Sequence, residues 1–316
     1  MQTLFVIGNG FDINLGMKTR YFDFFKFYKG VESDSELVNK LKNEISTDIE
    51  NWADLELAFG QYTARLNNLE EFEEVYEDLS DNLKDYLESV ENGFNYENLD
   101  LKKVPEYLCH PEKFLLPKNK NEVSKWKSEW TNHSWSINVI SLNYTCSLEK
   151  LLGDKQIGTQ IGTHHNSAPI KFGQIEHIHG YLNKRMILGV NDVSQIANVS
   201  FQEDEDIINA IVKDDCNKAY RHTLEEKCKK WISSSQLICL FGSSIGETDK
   251  LWWELIGEKL KSNSKLIIFD VSEVLRIKPN CCVYAKIVVN LKRKKSTFFT
   301  PLNCALKALI LALKDS

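Results

Sequence analysis

A continuous apolar run, Thr3-Leu4-Phe5-Val6-Ile7, leads directly into Gly8-Asn9-Gly10 at the start of the chain. Unbroken rather than alternating hydrophobicity predicts a strand buried on both faces, and such strands belong to parallel sheets covered by helices. Runs of the same character recur at 136–142, 184–189, 236–241, 265–269 and 284–290. Helical periodicity lies between or after them at 147–152, 204–212, 217–232, 249–260 and 302–313. This alternation predicts an α/β fold with a doubly wound, mostly parallel sheet of Rossmann type. Several of the strands end in small or polar residues, where open sheets of this class place their ligands.

Residues 34–131 have a different texture. The stretches 35–49, 51–66 and 70–90 are long, charged and helical in period, while 93–123, with Pro105, Pro111 and Pro117, reads as loop-rich. The organisation expected is an α/β nucleotide-binding domain from 1–33 and 132–316, interrupted by a helical insertion or lid at 34–131. The apolar stripes of that insertion need a partner, so it is expected to pack over the strand ends.

With 316 residues, 42% hydrophobic and 27% charged, the chain can bury a substantial core. Its net charge of −6 lacks the basic footprint of a nucleic-acid binder. The basic runs at 292–295 and 227–230 are short and read as solvated faces. No apolar run approaches the roughly 20 residues of a membrane span. The eight cysteines form no CxxC pair, and Cys281-Cys282 are adjacent, which suits tetrahedral zinc poorly. Together with a strand from residue 3 and no signal peptide, this predicts reduced thiols in a cytoplasmic protein.

Five constellations can carry chemistry. In Gly8-Asn9-Gly10-Phe11-Asp12, followed by Gly16, the glycines allow a tight turn and close approach to a phosphate at a helix N-terminus. The alternative is a purely structural turn. Asp12 can bond ribose hydroxyls, cap the helix or act as a base. In Ser141-Leu142-Asn143-Tyr144-Thr145 the amide can hold a ribose hydroxyl or an attacking water, or cap the next helix. His177 and His179 stand two apart, which on a strand puts them on one face. No clear cluster of carboxylates or cysteines accompanies them, although His164-His165 lie upstream, so metal binding is kept only as an alternative and no metal ligand is assigned. A catalytic His179 beside Gly180 and a satisfied structural histidine both remain open. Gly242-Ser243-Ser244 repeats the strand–turn–helix logic, with Asp249 as a possible cap, and Asp270 closes the next strand as a ribose contact or a turn residue. Asp54 and Glu56, two apart in a helix, should not share a face, and Asp54 suits a first-turn carboxylate. The aromatic stretch 21–25 reads as core packing.

The series resembles the phage abortive-infection family AbiH. The resemblance is carried by Leu4 through Asp12 with Gly16, Thr19, Tyr21 and Phe24, then by Trp52, Asp54, Leu55 and Glu56. It continues through Leu142-Asn143-Tyr144-Thr145 with Leu148-Glu149, His177 to Gly180 with Ile187-Leu188-Gly189, and Phe241-Gly242 with Ser244 and Asp249. That family is distantly similar to sirtuin-like NAD-consuming domains. The similarity implies that Gly8, Gly10 and Gly16 form a GAGxS-like turn and that Asn143 orients ribose or water. It further implies that His179-Gly180 supplies the base and that Gly242-Ser243-Ser244 grips phosphate or ribose. Asp12 replaces the expected serine, Lys18-Thr19-Arg20-Tyr21 replaces the PDFR segment, and the zinc-ribbon cysteine pairs are absent. Deacetylation is therefore not implied.

Three functional readings follow. The first is an anti-phage effector that binds NAD or a related nucleotide as substrate and hydrolyses its nicotinamide–ribose bond, with no further cofactor. The second is a non-catalytic nucleotide sensor or interaction protein whose helical insertion meets a phage or host protein; a homo-oligomer is a separate expectation. The third is a metal-dependent nuclease or phosphohydrolase using Asp12, Asp54, His177 and His179.

Overall fold

The opening strand, β1 (Gln2–Ile7), is buried on both sides because its alternate residues enter different cores. Phe5 and Ile7 face one apolar cluster and Leu4 and Val6 another. The computed structural model describes residues 1–270, except 102, 154, 165, 183, 220–222 and 263, together with 284–288. From the amino end β1 is followed by α1 (Gly10–Leu15), α2 (Tyr21–Tyr28), α3 (Glu36–Thr47), α4 (Leu55–Tyr62) and α5 (Leu69–Asn92). Next come α6 (Lys103–Cys109), α7 (Pro117–Ser128), β2 (Trp135–Ser141), α8 (Ser147–Leu152), β3 (Gln160–Thr163) and β4 (Pro169–His177). The remainder comprises α9 (Glu205–Ile211), α10 (Lys213–Ala219), α11 (Leu224–Ser234), β5 (Leu237–Phe241), α12 (Lys250–Leu260), β6 (Lys265–Asp270) and β7 (Tyr284–Val288).

These strands form one seven-stranded sheet in the order β3-β4-β2-β1-β5-β6-β7. The five inner strands run parallel, and β3 and β7 close the edges antiparallel. The chain builds outward from β1 through β2 to β4, then crosses to β5 and β6. Strand order therefore reverses beside β1, which is where open sheets leave a crevice at their carboxyl ends. One face of the sheet is covered by α7 and α8 through Val123, Trp126 and Leu148. The other is covered by α11 and α12 through Cys228, Ile232, Trp253 and Ile256. Full burial of each such side chain contributes about 1.5–3 kcal/mol before entropy is counted.

A third core joins the helices α2–α5 to residues 182–212. Phe24, Leu41, Trp52, Phe59, Phe72 and Leu79 pack there with Leu188, Ile207 and Ile211. The Tyr76 hydroxyl lies 2.9 Å from the Leu188 carbonyl and 3.2 Å from that of Ala210. The third core explains why 184–189 is not a strand: its apolar residues are buried against helices, with only isolated bridges at Lys184 and Val190.

Other expectations are corrected. β4 carries Lys171, Gly173, Gln174 and Glu176 and so has no apolar signature. The segment 217–232 is divided between α10 and α11. The loop-rich reading of 93–123 gives way to α6, a 3-10 turn at Pro111–Phe114 and α7. Pro111 and Pro117 lie in the first turns of their helices, where a missing N–H costs nothing. The helix expected at 302–313, the basic run at 292–295 and Cys281, Cys282 and Cys304 lie outside the described residues.

Candidate functional site

The carboxyl ends of β1, β2, β4 and β5 open on one cleft of about 690 Å³. Its lining includes Gly8, Asn9, Gly10, Asp12 and Thr19 from the first turn, and Asn143, Tyr144 and Thr145 after β2. His179, Gly242, Ser243, Ser244 and Asp249 complete the sheet side, while Tyr21, Asp54 and Glu56 come from the helices above. Asn143 and His179 thus share one cavity with both glycine turns. Phe11, Gly16 and Gly180 do not line it. Phe11 packs edge-on against Phe241 with centroids 5.7 Å apart, and Gly16 ends α1 at φ +97°. Gly180 has φ +69°, and a β-carbon there would lie 1.6 Å from the Arg185 carbonyl. The backbone of Asp270 ends β6, and its side chain lies outside the described residues.

The two glycine turns need their glycines for each other. Gly10 N–H donates to the Gly242 carbonyl at 2.7 Å, and a β-carbon on Gly10 would come within 2.5 Å of Gly242 Cα. Backbone packing between β1 and β5 therefore accounts for this spacing without a phosphate. Ile245, at φ +49° in the second turn, is a β-branched residue in left-handed backbone, which costs about 1–3 kcal/mol. Asn9 is held by Thr19, whose hydroxyl donates to its Oδ1 at 2.5 Å and whose carbonyl accepts its amide at 2.8 Å.

Asp12 caps nothing. It lies inside α1, fully buried, accepting the Thr145 hydroxyl at 2.5 Å and the Ser147 hydroxyl. Burial outweighs these two bonds and pushes its carboxyl up to about 6. Asn143 is likewise no cap, since α8 begins after Cys146 without a side-chain cap. Its Oδ1 is buried without a partner.

The two histidines do not share a face. β4 ends at His177, so strand alternation does not extend to His179. His177 Nδ1 faces the Asn143 carbonyl at 2.8 Å and Nε2 faces Glu149 at 2.6 Å. Both partners only accept, so the ring fits them as a double donor. Burial opposes its charge, but the Glu149 carboxylate and the Asn143 carbonyl raise its pKa above the ordinary value. His177 does not line the cleft, and Asp12 has both oxygens engaged. The four groups of the metal-dependent hydrolase reading therefore do not converge.

His179 instead belongs to a buried charge network. Its Nε2 donates to Asp249 Oδ1 at 2.8 Å, leaving Nδ1 buried without a partner. The same Asp249 oxygen receives Lys213 Nζ at 3.0 Å, and Lys213 also donates to Glu56 Oε2 at 2.8 Å. Tyr144 donates to Glu56 Oε1 at 2.8 Å. Asp249 makes no side-chain cap on α12. Burial works against its charge, yet Lys213 and His179 hold its carboxyl well below the usual carboxylate range. Lys213 is the member of this charge network that sequence reasoning missed. The nearest signal was its place after the apolar stretch 207–212, where a lysine must find a partner or reach solvent.

Asp54 and Glu56 both line the cleft, contrary to the helical spacing argument. Asp54 precedes α4 as its N-cap, in extended backbone, and accepts the Leu57 N–H at 3.1 Å. Burial and the nearby Glu56 charge raise its pKa.

Residues 4–270 match the family described as Bacteriophage abortive infection AbiH. The chain belongs to the AbiH family. No curated protein matches it. For this AbiH protein the match spans every cleft-lining residue named above and ends at the last residue of β6. Among the described residues, no helix is long and apolar enough to cross a membrane.

Proposed function

We propose that this AbiH protein acts in phage defence by binding NAD or a related nucleotide and hydrolysing the nicotinamide–ribose bond. The observation that carries the reading is the convergence of Asn143, His179 and the two glycine turns on one cleft. In the proposed reaction the C1′–N bond breaks, nicotinamide leaves with the electron pair, and water adds to C1′. His179 Nδ1, with its lone pair fixed by the Nε2–Asp249 bond, takes a proton from that water or from a ribose hydroxyl. The Asn143 amide orients the nucleophile, and both orphaned polar atoms find partners in the ligand.

Charge supports this chemistry over phosphoryl transfer. Asp54, Glu56 and Asp249 line the cleft, and Lys213 lies among the last two. These carboxylates, in a cleft that Arg20 also lines, favour a ribose that becomes cationic in the transition state. The similarity of the Asn143, His179-Gly180 and Gly242-Ser243-Ser244 positions to sirtuin-like NAD-consuming domains points the same way. A phage or host protein is the expected trigger.

Purified protein incubated with NAD tests the reading. His179→Ala and Asn143→Ala are expected to lower NAD loss at least 100-fold with unchanged circular dichroism. Turnover at the normal rate in both variants removes the mechanism. A nucleotide that raises the melting temperature without being consumed favours a sensor instead.

A further inference from the structure

Behind the cleft wall a second group of side chains converges. Cys146 and Glu149 stand three residues apart at the start of α8, one turn from each other on the same side. His177 reaches them from the end of β4, 28 residues further along the chain from Glu149. One ligand atom from each of the three lies within 4.8 Å of the other two. The second Glu149 oxygen, Oε2, is buried and has no hydrogen-bond partner. Cys146 is held in place through its backbone N–H, which donates to Glu91 at 2.7 Å.

The geometry points to a zinc site formed by Cys146, Glu149 and His177, clamping α8 to β4 directly behind Asn143. A thiolate, an imidazole and a carboxylate are the donor types that zinc accepts, and they seldom meet in a site made for magnesium or calcium. The other nitrogen of His177 already faces the Asn143 carbonyl. Ligating histidines are characteristically anchored in this way, which fixes the tautomer and ring orientation. Tetrahedral zinc, with bonds of about 2.3 Å to sulfur and 2.0 Å to nitrogen, sets those two atoms about 3.5 Å apart. The cluster, with its ligand atoms all within 4.8 Å of one another, is within reach of that geometry. On binding, the metal displaces the His177 Nε2 proton and the Cys146 thiol proton to solvent, and Glu149, which accepted the Nε2 hydrogen bond, becomes a ligand through the same carboxylate. A fourth position stays open to water.

The site is separate from the proposed NAD chemistry: the three ligands do not line the cleft, and its test needs no turnover. Cobalt is the probe. Titration of the whole protein with Co²⁺ is expected to saturate at one equivalent and to give a near-ultraviolet thiolate-to-cobalt band. Cys146→Ala is expected to lose that band while keeping the circular dichroism of the wild type. The other described cysteines, Cys109, Cys216, Cys228 and Cys239, are buried, whereas Cys146 is partly exposed, so its replacement spares the core. Glu149→Gln, at a partly exposed position, is expected to weaken Zn²⁺ binding at least tenfold in competition with a chromophoric chelator. Absence of saturable Co²⁺ binding, or a thiolate band that survives in Cys146→Ala, overturns the site.

Discussion

The cleft wall built after β1 and β2 is closed by neutral partners, whereas the wall built from α4, α10 and the turn after β5 is closed by charge. On the first wall Asp12 rests between two hydroxyls, those of Thr145 and Ser147, among the described residues. On the second, Asp249 and Glu56 share the buried ammonium of Lys213. The difference teaches what each wall can tolerate. A buried carboxylate with only hydroxyl donors is better off protonated, and one with a bonded cation stays charged. The first wall is thus sensitive to pH and the second to loss of a single side chain.

The largest effect is expected at Lys213. Lys213→Met leaves two buried carboxylates without their cation and should cost about 3–5 kcal/mol in urea unfolding. Adding Glu56→Gln to that variant should recover part of the loss. If the single variant unfolds like wild type, the charged wall is not held by this ion pair.

Next comes the pH response of the neutral wall. Asp12 has a folded pKa of about 6 against an ordinary value of 3.8. Between these values the folded state holds the proton and the unfolded state does not, so stability falls as pH rises from about 4 to about 6. The expected loss across that window is roughly 3 kcal/mol. Glu91 adds to the upward shift, and His177 opposes it. Asp12→Asn should flatten this part of the stability–pH curve and leave the protein more stable at neutral pH. An unchanged slope in the variant contradicts the comparison.

The smallest stability effect belongs to the rim. Phe22 lines the cleft and is 48% exposed. Phe22→Ala should change unfolding free energy by less than about 0.5 kcal/mol. If the ring stacks on a nucleotide base, calorimetry should show binding about tenfold weaker.

Sequence reading found the parts of the molecule where local pattern and tertiary environment agree. The strands β1, β5 and β6 each carry an unbroken apolar run because helices cover both faces, so hydrophobic runs located them. β4 was invisible because its buried Phe172 and Ile170 alternate with a lysine and a glycine. The opposite error arose at 184–189, where apolar residues serve a helical core and mimic a strand. Glycines and polar residues at strand ends led to most of the cleft, because topology alone brings strand ends together. Lys213 could not be found that way: its partners, Glu56 and Asp249, come from opposite parts of the chain, and nothing local marks their meeting. His177 and His179 were expected on one strand face for the same reason, and what separates them is the residue at which β4 stops.

The central position of β1 has a consequence for biosynthesis. Its two sheet neighbours are β2, which pairs from Ser136, and β5, which pairs from Leu237. At translation rates of roughly 5–20 residues per second, the first apolar strand leaves the ribosome on the order of ten seconds before either neighbour exists. During that interval both of its edges are open to chaperones or to the strands of another nascent chain. The second wall closes only after Asp249 emerges, so a polypeptide interrupted before it cannot carry a finished cleft.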